Sequence, residues 1–287
     1  MPAGSLKRSN KPAVPLSKIQ SEVLLLLAGQ RNPESYVAGA TPLNRDAPRY
    51  SGDIDVFHDR EESVAISAFS DATKLAAAGY DVRWLRQFPS IHSARVAKVG
   101  ESTRLEWVAD SDFRFFPTMR DAIFGYVLHP VDLALNKVMA AAGRREVRDL
   151  VDIWTIHQTI LPLGAAVWAA VEKSPGFTPE GLIAEIRRNS NYPSAEWNSL
   201  ITEEAMDPSK TLTQIRSALN EAESFVTQMP TSKVGLLFLE NGKVVQPDPT
   251  RLDSYQTHAG QRRGHWPSSP EISAAMFEHL AEQKGYS

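Results

Sequence analysis

Two aspartates separated by a single residue give the clearest chemical signal in this chain. Asp53 and Asp55 lie in the segment Asp53–Phe57, where acidic and apolar residues alternate with a period of two. This period is typical of a β-strand, so both carboxylates face one side while Ile54 and Val56 face the other. Neighbouring carboxylates repel each other and are usually kept together by a cation between them. Oxygen ligands of this kind suit Mg²⁺ or Mn²⁺ better than zinc.

A third acid, Glu106, lies in a later segment with the same alternation, Arg104–Val108. On a strand beside the aspartates it would complete the carboxylate set of a two-metal phosphoryl-transfer site. The alternative is an acid on an edge strand that faces solvent. A turn of small residues, Gly39-Ala40-Thr41, precedes the acid pair.

A helical pattern follows in the segment Val127–Trp154. Pro130 is placed to begin a helix, and Gly143 is placed to end it in a left-handed cap. Lys137 interrupts the apolar run of this helix. One interpretation makes Lys137 functional; the other makes it a surface lysine with a buried stem.

A second helix is predicted to begin near Arg145. At about 100° per residue, Asp149 and Asp152 fall together on the face opposite to its apolar residues. The structural alternative is a solvated acidic face with a local ion pair between Arg148 and Asp152, which stabilises a helix by only a few tenths of a kcal/mol.

Taken in order, these motifs resemble the AbiEii/AbiGii-type toxin branch of the nucleotidyltransferases, which have the DNA polymerase beta fold. The resemblance covers about residues 33–157 and is strongest in the segment HPVDLALNKVMAAAGRREVRDLVDIW. It implies an α+β fold with a mixed-sheet nucleotidyltransferase core. A mainly helical C-terminal domain with a small β-hairpin is expected to follow this core.

The resemblance also implies roles for individual residues. Asp53, Asp55 and Glu106 would bind the metal ions, and the turn formed by Gly39, Ala40 and Thr41 would bind the nucleotide. Lys137 would contact phosphate, and Asp149 and Asp152 would complete the nucleotide-binding residues. Two positions depart from the family pattern. Ala40 supplies no hydroxyl where many members have serine or glycine, so Thr41 would have to offer that contact. Glu106 replaces an aspartate found in many relatives.

The implied function is a metal-dependent nucleotidyltransferase that uses Mg²⁺ or Mn²⁺ and an NTP. The acceptor implied by kinship is tRNA or another RNA, and a cognate antitoxin protein would be a partner. The alternative is an inactive nucleotidyltransferase fold that serves as a nucleotide-binding or protein-interaction module. A metal-dependent hydrolase would also use the three acids, but it does not explain Lys137 together with Asp149.

Composition limits the other possibilities. The chain has 287 residues, of which 42% are hydrophobic and 23% charged, as expected for a globular protein. It contains no cysteine, which excludes disulfides, thiolate zinc sites and cysteine nucleophiles. The absence of cysteine also fits a reducing environment, so we expect a cytoplasmic location. No apolar run approaches the roughly 20 residues of a membrane span, so we expect no membrane partner. A net charge of −3 argues against a broad nucleic-acid-binding face.

We divide the chain into a tail at 1–14 that is expected to be disordered, a nucleotidyltransferase core at 15–160 and a helical domain at 161–287. A hairpin is predicted near 233–247, where Asn241-Gly242 favours a type I′ turn. The segment 257–266 is interpreted either as an irregular surface loop anchored by Trp266 or as a nucleic-acid contact. A last helix is predicted over 270–283.

Overall fold

A computed structural model of the chain describes residues 16–44, 49–198, 200, 202 and 206–267. These residues form an α+β fold with a mixed sheet and packed helices, which confirms the predicted fold class. The predicted tail at 1–14 and the predicted helix at 270–283 lie outside the described residues.

Twelve strands and nine helices are assigned within these described ranges. The strands are β1 (Ser35–Ala38), β2 (Asp53–His58), β3 (Asp81–Phe88), β4 (Ile91–Lys98), β5 (Glu101–Ala109), β6 (Phe113–Arg114), β7 (Met119–Asp121), β8 (Gly125–Val127), β9 (Leu237–Glu240), β10 (Lys243–Val245), β11 (Gln256–His258) and β12 (Gln261–Arg262). The helices are α1 (Lys18–Leu27), α2 (Ala40–Leu43), α3 (Glu62–Ala77), α4 (Pro130–Gly143), α5 (Val147–Thr159), α6 (Leu163–Ala170), α7 (Pro179–Arg188), α8 (Ser194–Trp197) and α9 (Pro208–Gln228).

The large sheet brings the predicted acids together through its register. Its strand order is β3-β4-β5-β2-β1-β8-β7. Strand β2 runs antiparallel to β1 and parallel to β5. In the parallel pair Asp53 lies opposite Arg104, and Asp55 lies opposite Glu106. Side chains at opposed positions of neighbouring strands share one face, so this pairing places three carboxylates side by side.

One face of the sheet packs against α1 and α3. Ile54 and Val56 of β2 are buried there with Leu105 and Trp107 of β5. Burial of each such side chain stabilises the fold by roughly 1.5–3 kcal/mol. Because the side chains of a strand alternate, this packing turns Asp53, Asp55 and Glu106 to the other face of the sheet.

The other face of β1 is covered by α4 and α5. Tyr36 and Ala38 pack there with Leu133 of α4 and Ile156 of α5. Helices α4 and α5 also share one hydrophobic core with α6, α7 and α9. The division of the chain near residue 160 stays a prediction.

In the described part of the chain no single helix is long and apolar enough to cross a membrane. One pair of helices, Val147–Thr159 and Leu163–Lys173, reaches the required length and apolar composition when the two are taken together, but the chain bends by 112° between them.

Several local predictions are confirmed and others are wrong. Asn241 and Gly242 have φ values of 52° and 72°, as a type I′ turn requires, and they connect β9 to β10. Gly143 ends α4 as predicted but has no left-handed backbone, because the chain leaves the helix through an extended Arg144.

The segment 257–266 is not an irregular loop. Strand β11 adds a third strand to the β9–β10 hairpin, and β12 pairs with β6. His258 is buried, and its ring nitrogen lies 2.8 Å from the carbonyl oxygen of Phe115. The ring of Trp266 lies 5.8 Å from that of Phe116, and its role as an anchor stays a prediction.

Candidate active site

The three predicted carboxylates line one open cleft. Asp53, Asp55 and Glu106 border a space of about 600 Å³ that is closed on one side by Gly39 and on another by Lys137. This volume lies within the range of small-molecule sites in proteins. Sheet and helix α4 therefore form a cleft in which the predicted acids meet the turn after β1.

Gly39 allows the turn to approach Asp55 closely. Its φ of 70° lies in the left-handed region, and a Cβ at this position would lie 2.0 Å from Oδ2 of Asp55. Ala40 also lines the cleft, whereas Thr41 is buried and its hydroxyl donates to the carbonyl oxygen of Asp53 at 2.5 Å. Thr41 thus holds the turn to the start of β2 and does not supply the hydroxyl that Ala40 lacks.

Asp53 is well balanced by positive charge. Arg104 donates from Nη2 to Oδ2 of Asp53 at 2.7 Å, and Arg148 lies 3.8 Å from the same oxygen. Burial alone would raise the pKa of Asp53, but the hydrogen bond from Arg104 and the charges of both arginines outweigh it and lower the pKa. Nε of Arg104 also lies 3.4 Å from Oε1 of Glu106.

Asp55 is not balanced in this way. Burial raises the pKa of Asp55 to about 7, and the negative charges of Asp53 and Glu106 contribute in the same direction. Lys137 and Arg104 lower it only in part. The site therefore holds a carboxylate that takes up a proton near neutral pH.

Lys137, Asp149 and Asp152 form a buried ion-pair network next to the cleft. The Lys137 amine donates to Asp149 at 2.9 Å and lies 3.0 Å from Asp152, while Arg144 donates to Asp149 at 2.7 Å. Both aspartates are at most 1% exposed. The alternative of a solvated acidic face is wrong, because α5 is enclosed by other helices. The suggested Arg148–Asp152 pair is also wrong, since Arg148 lies beside Asp53 and Glu146.

Asp152 connects this network to the turn after β1. Nε of Arg49 donates to Asp152 at 2.9 Å, and the Asn44 amide donates to it at 3.1 Å. Asn44 also donates to the carbonyl oxygen of Ala40 at 2.9 Å. A carboxylate on α5 thereby positions the residues that follow Gly39.

Four arginines of the cleft were not predicted as site residues, and Arg148 was considered only as an ion-pair partner of Asp152. Arg86, Arg104, Arg144 and Arg148 line it together with the acids. Only for Arg104 could the sequence have predicted a place in the cleft. Arg104 and Glu106 are two residues apart on a strand, so their side chains lie on the same face. Arg86 follows an irregularity in the β3–β4 pairing, which sequence periodicity does not predict.

The donor set suits a hard divalent cation, although the acids do not enclose one as they stand. Within the described ranges, no three acidic, histidine or cysteine side chains are grouped closely enough to hold a metal ion. Arg104 bridges Asp53 and Glu106 instead. In ligand chemistry the three carboxylate groups fit Mg²⁺ or Mn²⁺, which prefer oxygen ligands of this kind.

Paired arginines elsewhere are engaged in surface ion pairs. Arg262 bonds Asp112 at 2.9 Å, and Arg263 bonds Glu34 at 2.7 Å. Arg187 bonds Glu223 at 2.6 Å. These contacts favour a structural role for these three arginines.

Comparison with solved structures gives the fold a name. The nucleotidyltransferase toxin MenT4 from Mycobacterium tuberculosis superposes with a TM-score of 0.53 at 15% identity, over 75% of this chain and 83% of that one. A candidate nucleotidyltransferase from H. pylori matches with a TM-score of 0.44 at 14% identity, over 74% and 94% of the two chains. No protein-family model matches the sequence, and neither does any curated protein. The chain has the fold of a nucleotidyltransferase, as the sequence resemblance implies.

Replacement of Gly39 tests the close approach at the turn. Gly39→Ala should destabilise the protein by more than 2 kcal/mol, since roughly 1 kcal/mol of backbone strain is joined by a collision with Asp55. Gly79→Ala is the matched control: Gly79 has a φ of 82°, but a Cβ there meets no described atom within 4 Å. Equal losses in urea unfolding of the two variants would show that Asp55 does not press against the turn.

The two aspartates should respond oppositely to neutralisation in metal-free buffer. The native pKa of Asp55 lies above its unfolded value, so its contribution to stability is present below about pH 4 and lost as the pH rises through 7. At pH 8 Asp55→Asn should therefore stabilise the protein by roughly 2 kcal/mol, with little effect at pH 4.

Asp53→Asn is the comparison for this measurement. The pKa of Asp53 is lowered, so its contribution is present above its unfolded pKa and is lost as the pH falls. At pH 8 this variant should be destabilised by roughly 1–3 kcal/mol, because Arg104 loses its charged hydrogen-bond acceptor at 2.7 Å and keeps only Glu106. Chemical unfolding at both pH values measures the difference, and a shift of the same sign for both variants at pH 8 would contradict the charge balance described above.

Proposed function

We propose that the protein is a nucleotidyltransferase that moves a nucleoside monophosphate from an NTP to an acceptor hydroxyl. The acceptor oxygen attacks the α-phosphorus, the bond to the β-phosphate oxygen breaks, and pyrophosphate leaves. The observation that carries the proposal is the meeting of Asp53, Asp55 and Glu106 beside the Gly39 turn, within a nucleotidyltransferase fold.

The cleft also contains the positive charge that a triphosphate requires. Arg86, Arg144 and Arg148 line it on the side of the helices and the β3–β4 hairpin. Arginine binds phosphate through several N–H groups of fixed geometry. We assign the triphosphate to these arginines and to the backbone of Gly39 and Ala40, with Lys137 contributing its charge from the floor of the cleft.

Asp53, Asp55 and Glu106 would hold Mg²⁺ or Mn²⁺. A bound divalent ion neutralises the triphosphate and lowers the pKa of the attacking hydroxyl. Glu106 is our candidate for the base that accepts the proton of that hydroxyl, because it lies beside Asp55 and its side chain is 16% exposed, against 10% for Asp53. Catalysis would then consist mostly of positioning and charge stabilisation.

The proposed acceptor is RNA, with tRNA as the first candidate. The fold is shared with a toxin, MenT4, and the sequence resembles a toxin branch of the nucleotidyltransferases. We therefore propose a toxin role, with a cognate antitoxin protein as partner and a cytoplasmic site of action.

A nucleotide-binding module without catalysis is the second candidate function. One observation favours it: Ala40 has no hydroxyl, and the hydroxyl of Thr41 is bonded to the backbone of Asp53. A module of this kind would bind an NTP in the same cleft and leave it unchanged.

Incubation with each labelled NTP, Mg²⁺ and total cellular RNA distinguishes these functions. The enzyme should attach label covalently to RNA, and Asp55→Asn should reduce the rate by at least about 100-fold because the metal site is broken. The matched control is Asp81→Asn, which neutralises an exposed aspartate on β3 and should leave the rate unchanged. NTP binding without label transfer would support the module, and NTP hydrolysis without an acceptor would support a hydrolase.

Arg104 should compete with the metal ion for the carboxylates. Arg104→Gln removes the guanidinium that bridges Asp53 and Glu106, so Mn²⁺ should bind at least about 10-fold more tightly, as expected when a cation is removed from a site. Electron paramagnetic resonance of free Mn²⁺ measures this affinity without any assay of transfer. Arg86→Gln, which removes a charge from the same cleft, is the control. An equal gain in both variants would mean that Arg104 acts only through general electrostatics.

A further inference from the structure

The face of the sheet that carries the predicted acids continues beyond the cleft to the edge strand β3. Ser93 of β4 lies opposite Glu106, and Arg86 of β3 lies opposite Ser93. Arg86 and Ile91 border the cleft together with Glu106. Neighbouring strands lie about 4.8 Å apart, so β3 is about 10 Å from Glu106. We call the outer part of this face, formed by Arg83, Arg86, Phe88, Ile91 and Arg95, the β3–β4 face.

An apolar row crosses the sheet next to the carboxylates. Phe57 lies opposite Val108, and Val108 lies opposite Ile91. Ile91 in turn lies opposite Phe88. Residues at opposed positions share one face of a sheet. The first three residues of the row are half-buried, whereas Phe88 at the sheet edge is 59% exposed. The row thus starts beside Asp55 and ends in an aromatic ring that is open to solvent.

A row of arginines lies on the same face. Arg83 lies opposite Arg95, and Arg95 lies opposite Arg104. All three residues are exposed. Arg83 pairs with Asp81 at 3.9 Å, and Arg95 donates to the neutral hydroxyl of Ser102 at 3.1 Å. Like charges at opposed positions destabilise a sheet. A row of this kind, in a chain with a net charge of −3, therefore indicates an anionic partner.

Arginines beside an exposed aromatic ring are typical of surfaces that bind single-stranded nucleic acid. Arginine binds phosphate through several N–H groups, and an aromatic ring stacks on a base. A duplex keeps its base faces stacked inside, so along its length it offers Phe88 no base to contact. An acidic protein segment would pair with the arginines but would leave Phe88 without a partner. The two rows together therefore favour a single strand.

We propose that the β3–β4 face binds the single-stranded end of the acceptor RNA. Phe88 stacks on a base, and Arg83 and Arg95 bind phosphates of the strand. Because the face is continuous with the cleft at Glu106, a strand that lies across it brings its terminal hydroxyl to the carboxylates. This role of the face rests on the proposed function, in which RNA is the acceptor.

The test measures binding of a short, unstructured, fluorescently labelled RNA to the full chain by anisotropy, without NTP or metal ion, over a range of salt concentrations. Arg83→Gln/Arg95→Gln should flatten the dependence of log K on log salt by about 1.4, since each phosphate contact on a single strand contributes about 0.7. Phe88→Ala should weaken binding at least about five-fold and leave the slope unchanged, because stacking on this ring neutralises no phosphate.

Two control variants are matched to these changes. Arg188→Gln/Arg216→Gln removes the same charge from exposed arginines of α7 and α9. Ile66→Ala removes an exposed apolar side chain from α3, which packs on the opposite face of the sheet. Both controls should bind RNA as the unaltered protein does.

Several results would overturn the proposal. The unaltered protein could bind no RNA, or either variant of the β3–β4 face could bind RNA no differently from its control. Displacement of the labelled RNA by polyglutamate as effectively as by unlabelled RNA would indicate an acidic protein partner instead.

Label transfer from NTP to RNA, measured on the same variants, separates this proposal from the proposed function. The KM for RNA should rise in Phe88→Ala, while the rate at saturating RNA stays the same. RNA binding through this face without label transfer would contradict the transferase and leave the face in place. Label transfer by the unaltered protein, with undiminished RNA binding in the variants, would contradict the face and leave the transferase in place.

Discussion

The cleft depends on a backbone register that forces like charges together. Because β2 and β5 run parallel with Asp55 opposite Glu106, three carboxylates share one face of the sheet. Arg104 compensates Asp53, whereas the pKa of Asp55 is raised to about 7, first by burial and then by its acidic neighbours. The register between β2 and β5 is held by backbone hydrogen bonds, so the strands cannot shift to relieve the repulsion between these carboxylates. Protonation of Asp55 near neutral pH relieves this repulsion.

A second group of charges holds this repulsive face in place. Lys137, Arg49 and Asn44 meet at Asp152, so one buried carboxylate joins α4, α5 and the turn after β1. Removing one partner of a buried ion pair typically costs about 3–5 kcal/mol, because the remaining charge is left unpaired. Lys137 consequently has a structural role, whatever it contributes to phosphate binding. Asn44 bonds both Asp152 and the carbonyl oxygen of Ala40, so the Gly39 turn is tied to the same network.

Sequence periodicity predicts the parts of this site that depend on one element at a time. Alternation over Asp53–Phe57 needs only one strand with one buried face, and the observed β2 has that form. Asp149 and Asp152 were placed on an open face because they lie opposite the apolar residues of α5. Their burial depends on partners outside α5. Lys137 of α4 bonds both aspartates, and Arg49, which is 103 residues away in sequence, bonds Asp152. Pairing across long sequence separations leaves no periodic signal in either partner.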